Sequence, residues 1–201
     1  MIARIPYFAR ILAVLLVQLF ALGWMVADRA KILENGTEIR LPARPVDPRD
    51  LFRGHYVRLG YDISQLRLPL LGGANDFKRD DPVFLLARRG DDSHIEPLSV
   101  HREPPAAAPG QVVLAGRVTS RAENSPTAIG SDQPPCPRPC PSLAVAWGLE
   151  SYFVPKEEAL RLEKLRNLDR LEILASVSTD GRAAIKGLII DSQLVYEEPL
   201  F

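Results

Sequence analysis

The sequence predicts a mainly β protein of the β-rich α+β class: an N-terminal transmembrane helix, then an antiparallel β-sandwich or barrel-like domain with one covering helix. Three observations predict it. Residues 11–27 form an apolar run with one amide and no charge. Beyond them, short alternating segments are separated by turn residues, with 18 prolines and 13 glycines spread along the chain, a pattern of strands and turns rather than of a helical bundle. A single later stretch, residues 155–168, has apolar residues at helical spacing.

The chain has 201 residues, and its 46% apolar fraction suffices for a buried core. Lys plus Arg and Asp plus Glu are 25 each, so the net charge is zero. That balance lacks the basic excess that draws proteins to nucleic acid, and no nucleic-acid partner is expected.

With residues 5–9 added, the apolar run reaches about 34 Å as a helix at about 1.5 Å per residue, enough to cross a hydrocarbon core of about 30 Å. Arg10 can snorkel to the interface, and Tyr7 and Trp24 fall near opposite edges. A cleaved signal peptide is the competing reading. Cleavage would follow Met25-Val26-Ala27 or Asp28-Arg29-Ala30, and neither has the small-x-small pattern that cleavage favours. The sequence therefore predicts an uncleaved single-pass anchor. Arg4, Arg10 and the free amine point the N-terminus inward. The resulting division is residues 1–30 as cytoplasmic tail and span, and residues 31–201 as an extracytoplasmic domain.

In the exported part, Asn35-Gly36 is a turn and Glu38 to Leu41 alternate as a first strand. Asp47-Pro48-Arg49-Asp50 places Asp and Pro at their preferred turn positions, Asp50 can cap one helical turn, and Gly54 can close it. The strand after it puts Val57, Leu59, Tyr61 and Ile63 on a core face and Tyr56, Arg58, Gly60 and Asp62 on the other. Residues 65–78 read as a loop. Residues 82–101 read as a hairpin about Arg89-Gly90-Asp91-Asp92, 103–110 as an extended connector, and 111–120 as a strand. Residues 143–154 form the longest strand candidate, with Leu143, Val145, Trp147, Leu149 and Phe153 on one face. Pro155 opens the covering helix. Thr179-Asp180-Gly181 joins two strands, 170–178 and 182–190, and residues 197–199 look frayed.

Residues 53–61, Arg-Gly-His-Tyr-Val-Arg-Leu-Gly-Tyr, resemble the signature that names the GDYXXLXY family, bacterial membrane-anchored proteins of unknown function. Residues 46–52 resemble its lead-in, and the likeness resumes at residues 147–155 and in the terminal hairpin. Arg53, Gly54, His55, Tyr56, Leu59 and Tyr61 are the motif positions. The acidic residue of the signature is His55 in this chain, so no carboxylate role is carried over to it. The resemblance implies a protein of the bacterial inner (plasma) membrane.

Chemistry-bearing residues are sparse. Arg40, Arg44, Arg49, Arg53 and Arg58 could form an anion site, but exposed ion pairs with Asp47, Asp50 and Asp62 explain them more simply. Asp91, Asp92, His94, Glu96 and His101 match no metal-ligand spacing. Cys136 and Cys140, the chain's two cysteines, sit in a proline-rich loop without a thiolate-activating helix start, and a local disulfide is the expected state. No catalytic, cofactor or metal site is expected. The sequence thus predicts a non-enzymatic accessory for an integral membrane protein partner, with Arg49, Arg53, Tyr56 and Arg58 as the candidate partner surface. The alternative is a membrane-anchored hydrolase arranged like the signal peptidases, with Ser64 as nucleophile and Lys78 as base.

Overall fold

A computed structural model describes residues 7–44, 56–123, 136, 139–153 and 171–198. It opens with one helix, α1 (Tyr7–Asn35). The helix has no proline, and no charge between Arg10 and Asp28, to break it, and at about 1.5 Å per residue it is about 43 Å long. Its apolar window has mean hydropathy 2.1 and none of it is buried. The helix continues past the expected division at residue 30 to Asn35, where the expected Asn35-Gly36 turn ends it, and Ile32 and Leu33 in the added stretch find an apolar surface at Ala184.

That last stretch of α1 is built into the domain. Ile32 and Leu33 are buried against Ala184, the Ser176 hydroxyl donates to Ile32 O, and a Cβ at Gly36 would run into Ser176 Oγ and Ile32 O. Arg29 donates to Ala183 O at 3.2 Å, and Arg182 grips the Asp28 carboxylate with both terminal nitrogens. An exposed ion pair is screened by solvent and contributes little, whereas burying Ile32 and Leu33 contributes about 1.5–3 kcal/mol each. Apolar docking therefore sets the joint and the ion pair trims it.

Thirteen strands follow among the described residues: β1 (Thr37–Arg44), β2 (Tyr56–Arg58), β3 (Gly60–Tyr61), β4 (Gln65–Arg67), β5 (Gly72–Gly73), β6 (Pro82–Arg89), β7 (Ile95–His101), β8 (Gln111–Ala122), β9 (Ser142–Ala146), β10 (Ser151–Phe153), β11 (Leu171–Val177), β12 (Ala183–Ile190) and β13 (Gln193–Glu197). They form a five-stranded sheet β13-β12-β11-β1-β3, a six-stranded sheet β4-β9-β8-β6-β7-β5 and a two-stranded ribbon β10-β2. Every pairing is antiparallel except β5 with β7. Irregularities in register within the β6–β7, β8–β9, β11–β12 and β12–β13 pairs curl both sheets.

The inner faces meet in one core that includes Ile39, Leu41, Leu85, Leu114, Leu143 and Ile173, each no more than 2% exposed. Two backbone hydrogen bonds close the corners: Ala115 N donates to Gly181 O, and Arg40 N donates to Ser93 O, both at 2.8 Å. The expected β-rich class with a curled, sandwich-like or barrel-like body is therefore what the chain forms. Pro42 sits within β1 without loss, since alternate N–H groups of this strand point away from β11 and the residue falls between the Ser93 contact and β3.

Several local expectations need correction. The segment read as a loop carries β4, a 3-10 turn at Leu68–Leu70 and β5, because Leu66 and Leu68 are buried and need paired backbone. The strand read over residues 57–63 breaks at Leu59 and ends in a 3-10 turn, Asp62–Ser64, although Leu59, Tyr61 and Ile63 all face the core as their parity required. The long strand of residues 143–154 splits at Trp147 to Glu150, where Gly148 has φ +79. Of the tail read as frayed, Glu197 pairs with Gly187 in β13 and Glu198 N donates to Lys186 O at 2.7 Å, while Pro199 lies outside the described residues. The turn at residues 47–50, Gly54 and His55 lie outside the described residues, as does the covering helix at 155–168.

Candidate functional site

The signature strand is built against the turn that follows β9. β2 pairs with β10, while β3, one residue further on, pairs with β1. The chain thus changes sheets across Leu59, whose N–H donates to Glu150 O at 2.9 Å. The Tyr61 hydroxyl donates to Leu149 O at 2.6 Å, and the Trp147 indole N–H donates to Ile63 O at 3.0 Å. Glu150 in turn accepts from Trp147 N and from Gly148 N with its two carboxylate oxygens, the latter at 3.0 Å, and so holds the glycine-centred turn. Segments some ninety residues apart, related by |i−j| of 88 and 84 in the two buried bonds, become one hydrogen-bonded unit.

Electrostatics agrees with that structural role. Tyr61 is 4% exposed, and burial pushes its phenol well above the ordinary 10.0, with the Glu150 charge acting in the same direction. At neutral pH the phenol is a fixed hydrogen-bond donor rather than a base or nucleophile.

The family model described as GDYXXLXY protein matches residues 18–188. The chain belongs to the GDYXXLXY family. No curated protein and no solved structure matches it significantly. In this GDYXXLXY protein, two motif positions, Leu59 and Tyr61, are buried in the sheet crossing just described. Tyr56 lies in β2, where its backbone is paired with Phe153. Arg53, Gly54 and His55 lie outside the described residues. The same holds for Arg49 of the expected partner surface, and for Arg58 only the backbone pairing with Ser151 is described.

A cleft of about 520 Å³ opens where β1, the Asp62–Ser64 turn, β4 and the tip of the β6–β7 hairpin converge. Its walls are mostly apolar, with Leu41, Pro42, Ile63, Leu66, Leu70 and Leu71. Arg40, Arg67, Asp62 and Glu96 line it as well, two cations against two anions, so it offers no charge excess for an isolated phosphate. At its rim His94 bridges the two sheets, with Nδ1 at 2.8 Å from Asp92 and Nε2 at 3.3 Å from Glu172. Hydrogen bonds from His94 hold the Asp92 carboxyl below its usual range. Glu172 Oε2 is buried without a hydrogen-bond partner among the described residues. Sequence reasoning missed this cleft because its walls come from four segments whose convergence depends on the sheet crossing.

The remaining sequence candidates are dispersed. Asp92 and His94 meet, but His101 lies at the far end of β7, bonded to Ser99 at 2.8 Å. Among the described residues no three His, Cys, Asp or Glu side chains form a metal-binding group. Ser64 accepts a hydrogen bond from Tyr61 N at 3.3 Å, and Lys78 is exposed beside Asp81, to which its backbone N–H donates at 2.9 Å. Arg40 lies at the cleft, whereas the side chains of Arg44 and Arg58 and all of Arg49 and Arg53 are outside the described residues. Cys136 and Cys140 form the expected disulfide, with Cα atoms 5.9 Å apart and Cys140 buried.

Proposed function

We propose that this GDYXXLXY protein is a non-enzymatic accessory of the bacterial inner membrane, anchored by α1 with its N-terminus in the cytoplasm, whose extracytoplasmic β-domain binds an integral membrane protein. The observation that carries the reading is the unbroken passage of α1 from an exposed apolar stretch into the domain, where Ile32 and Leu33 are buried. Cleavage after Ala27 or Ala30 would sever the helix beside or within the Asp28–Arg29 contacts, which favours an anchor over a removed signal. The disulfide favours an oxidising, extracytoplasmic compartment.

The signature side chains support a binding rather than a catalytic role, since the Tyr61 hydroxyl, the Trp147 indole and the Glu150 carboxylate are engaged in holding backbone. Lys78 lacks the burial that turns a lysine into a general base. For a partner, β13 is attractive. It ends the five-stranded sheet, is exposed throughout, and shows Leu194 and Val195 at 50% and 51% exposure. Such an edge can accept a further strand or an apolar contact.

In-cell crosslinking from position 194, followed by affinity purification, is expected to enrich one integral membrane protein, and adding Val195→Lys should abolish that enrichment. Covalent labelling of Ser64 by an acylating probe would instead support the hydrolase. Alkaline phosphatase fused after Phe201 should be active; an inactive fusion would reverse the orientation.

A further inference from the structure

The geometry points to a second docking surface, the bilayer itself: the β11–β12 turn, residues 178–182, rests on the lipid headgroups and holds the domain in one fixed orientation. The inference rests on the anchor reading and goes beyond it, because an anchor alone leaves the domain free to tumble on its tether. Residues 7–27 span about 31 Å as helix, close to the hydrocarbon thickness of about 30 Å, so Asp28 marks the start of the headgroup layer. Asp28 is the residue that Arg182 grips, and Arg182 also holds Asp180 at 2.7 Å. The turn is therefore at the same level as the end of the span.

Nothing flexible intervenes. The helix runs on from Asp28 to Asn35 and docks through Ile32 and Leu33 on the outer face of the sheet, so the helix axis fixes the sheet. The chain's other end agrees with this placement. β13 runs back toward the same edge, and Glu198 lies close enough to Arg29 for its charge to act on that guanidinium. The opposite end of the strands, at Ile190 and Gln193, is seven residues up β12 from Ala183, about 23 Å away at about 3.3 Å per residue.

The chemistry of the surface says which lipid it suits. Arg182 pairs with Asp28 and Asp180, Lys31 lies within electrostatic reach of Asp28 and Glu198 of Arg29, three charges of each sign around the joint. This is a balanced surface that matches zwitterionic headgroups and gains nothing from anionic ones. Contact should therefore be insensitive to the anionic lipid content and to salt.

The test uses the full chain reconstituted in vesicles. Both native cysteines are engaged in the disulfide, so a single introduced cysteine takes an environment-sensitive fluorophore cleanly. Thr179→Cys and Gln193→Cys, both at exposed positions, are compared with headgroup-nitroxide phosphatidylcholine as quencher. Since the headgroup layer is about 5–8 Å deep and position 193 lies about 23 Å from the turn along the strand, position 179 should lose more than about half its emission and position 193 markedly less. The ratio should be unchanged when phosphatidylglycerol is added. Leu33→Glu, which breaks the separate apolar patch under the helix end, should reduce the difference while Trp147 emission, read in a Trp24→Phe background, keeps its native position. Equal quenching at 179 and 193 in the parent chain overturns the seat, as does a contact that appears only with phosphatidylglycerol. A fluorophore at Val17→Cys reports separately on the anchor: no quenching there by deep-chain nitroxide would overturn insertion, and the seat with it.

Discussion

Tyr61→Phe tests the idea that the signature tyrosine is a structural donor. The substitution removes a buried hydroxyl that donates to Leu149 O at 2.6 Å and leaves the ring in place. Loss of a buried hydrogen bond that strands one carbonyl costs about 1–3 kcal/mol, and for a domain of this size each kcal/mol lowers the melting midpoint by about 2–4 °C. We expect a loss of about 2 kcal/mol at pH 7, read from urea unfolding of the full chain in mild detergent. The pH dependence carries the stronger constraint. The folded pKa of Tyr61 is raised above the 10.0 of an exposed phenol, so its contribution is fully present below pH 10 and is lost as pH rises toward the folded pKa. Above pH 10 the unfolded chain releases a proton that the folded chain retains, and stability falls with a limiting slope of about 1.4 kcal/mol per pH unit. By pH 11 the parent loses up to about 1.4 kcal/mol that Tyr61→Phe does not lose, so the gap between them should narrow. A gap that stays constant from pH 8 to pH 11 would refute a buried, neutral Tyr61, and no gap at pH 7 would refute the hydrogen bond's structural weight.

Gly116→Ala would set a Cβ 2.6 Å from Trp147 Cε3 and 2.7 Å from Val145 Cγ1; the overpacking should cost about 1–3 kcal/mol and shift Trp147 emission, measurable in the same unfolding series. Replacing Cys136 and Cys140 together by serine opens a loop of sequence separation 4, which by loop entropy should cost about 2 kcal/mol at 25 °C. The parent chain treated with reductant should lose a comparable amount, as measured by the urea midpoint.

The fold class could be read from the sequence because its signals are local. The charge-free run gives α1, the alternation of Val83, Leu85 and Ala87 gives the buried face of β6, and Asp180-Gly181 gives the turn between β11 and β12. Parity also placed Leu59, Tyr61 and Ile63 inward despite the break at Leu59, since what buries them is a periodic face and not a continuous ladder. Sequence reading failed where a residue's job depends on a distant partner. Glu150 looks like an exposed acid, but it holds a turn by accepting two backbone N–H groups. Asp28 and Arg182 are ordinary surface charges until the fold sets them face to face across an |i−j| of 154. Residues 193–197 have no inward apolar face, so only their pairing with β12 identifies them as a strand.

β1 connects the three features that matter for function. Its first residue, Thr37, pairs with Val177 beside the helix joint; its last two, Ala43 and Arg44, pair with Tyr61 and Gly60 of the signature strand; and Arg40, Leu41 and Pro42 between them line the cleft. A strand held at both ends is stiff along its length. The cleft therefore sits up to about 17 Å along β1 from the anchor joint, at about 3.3 Å per residue, and that height is fixed by the chain's own hydrogen bonds. The signature reaches the cleft directly, because Tyr61 is one of its lining residues. By tying Tyr61 and Leu59 to the turn at residues 147–150, it locks the sheet crossing that forms the cleft's far wall, and the helix joint locks the near end. On the proposed accessory reading, a partner in the membrane would meet a surface already ordered before contact, which lowers the ordering cost of binding.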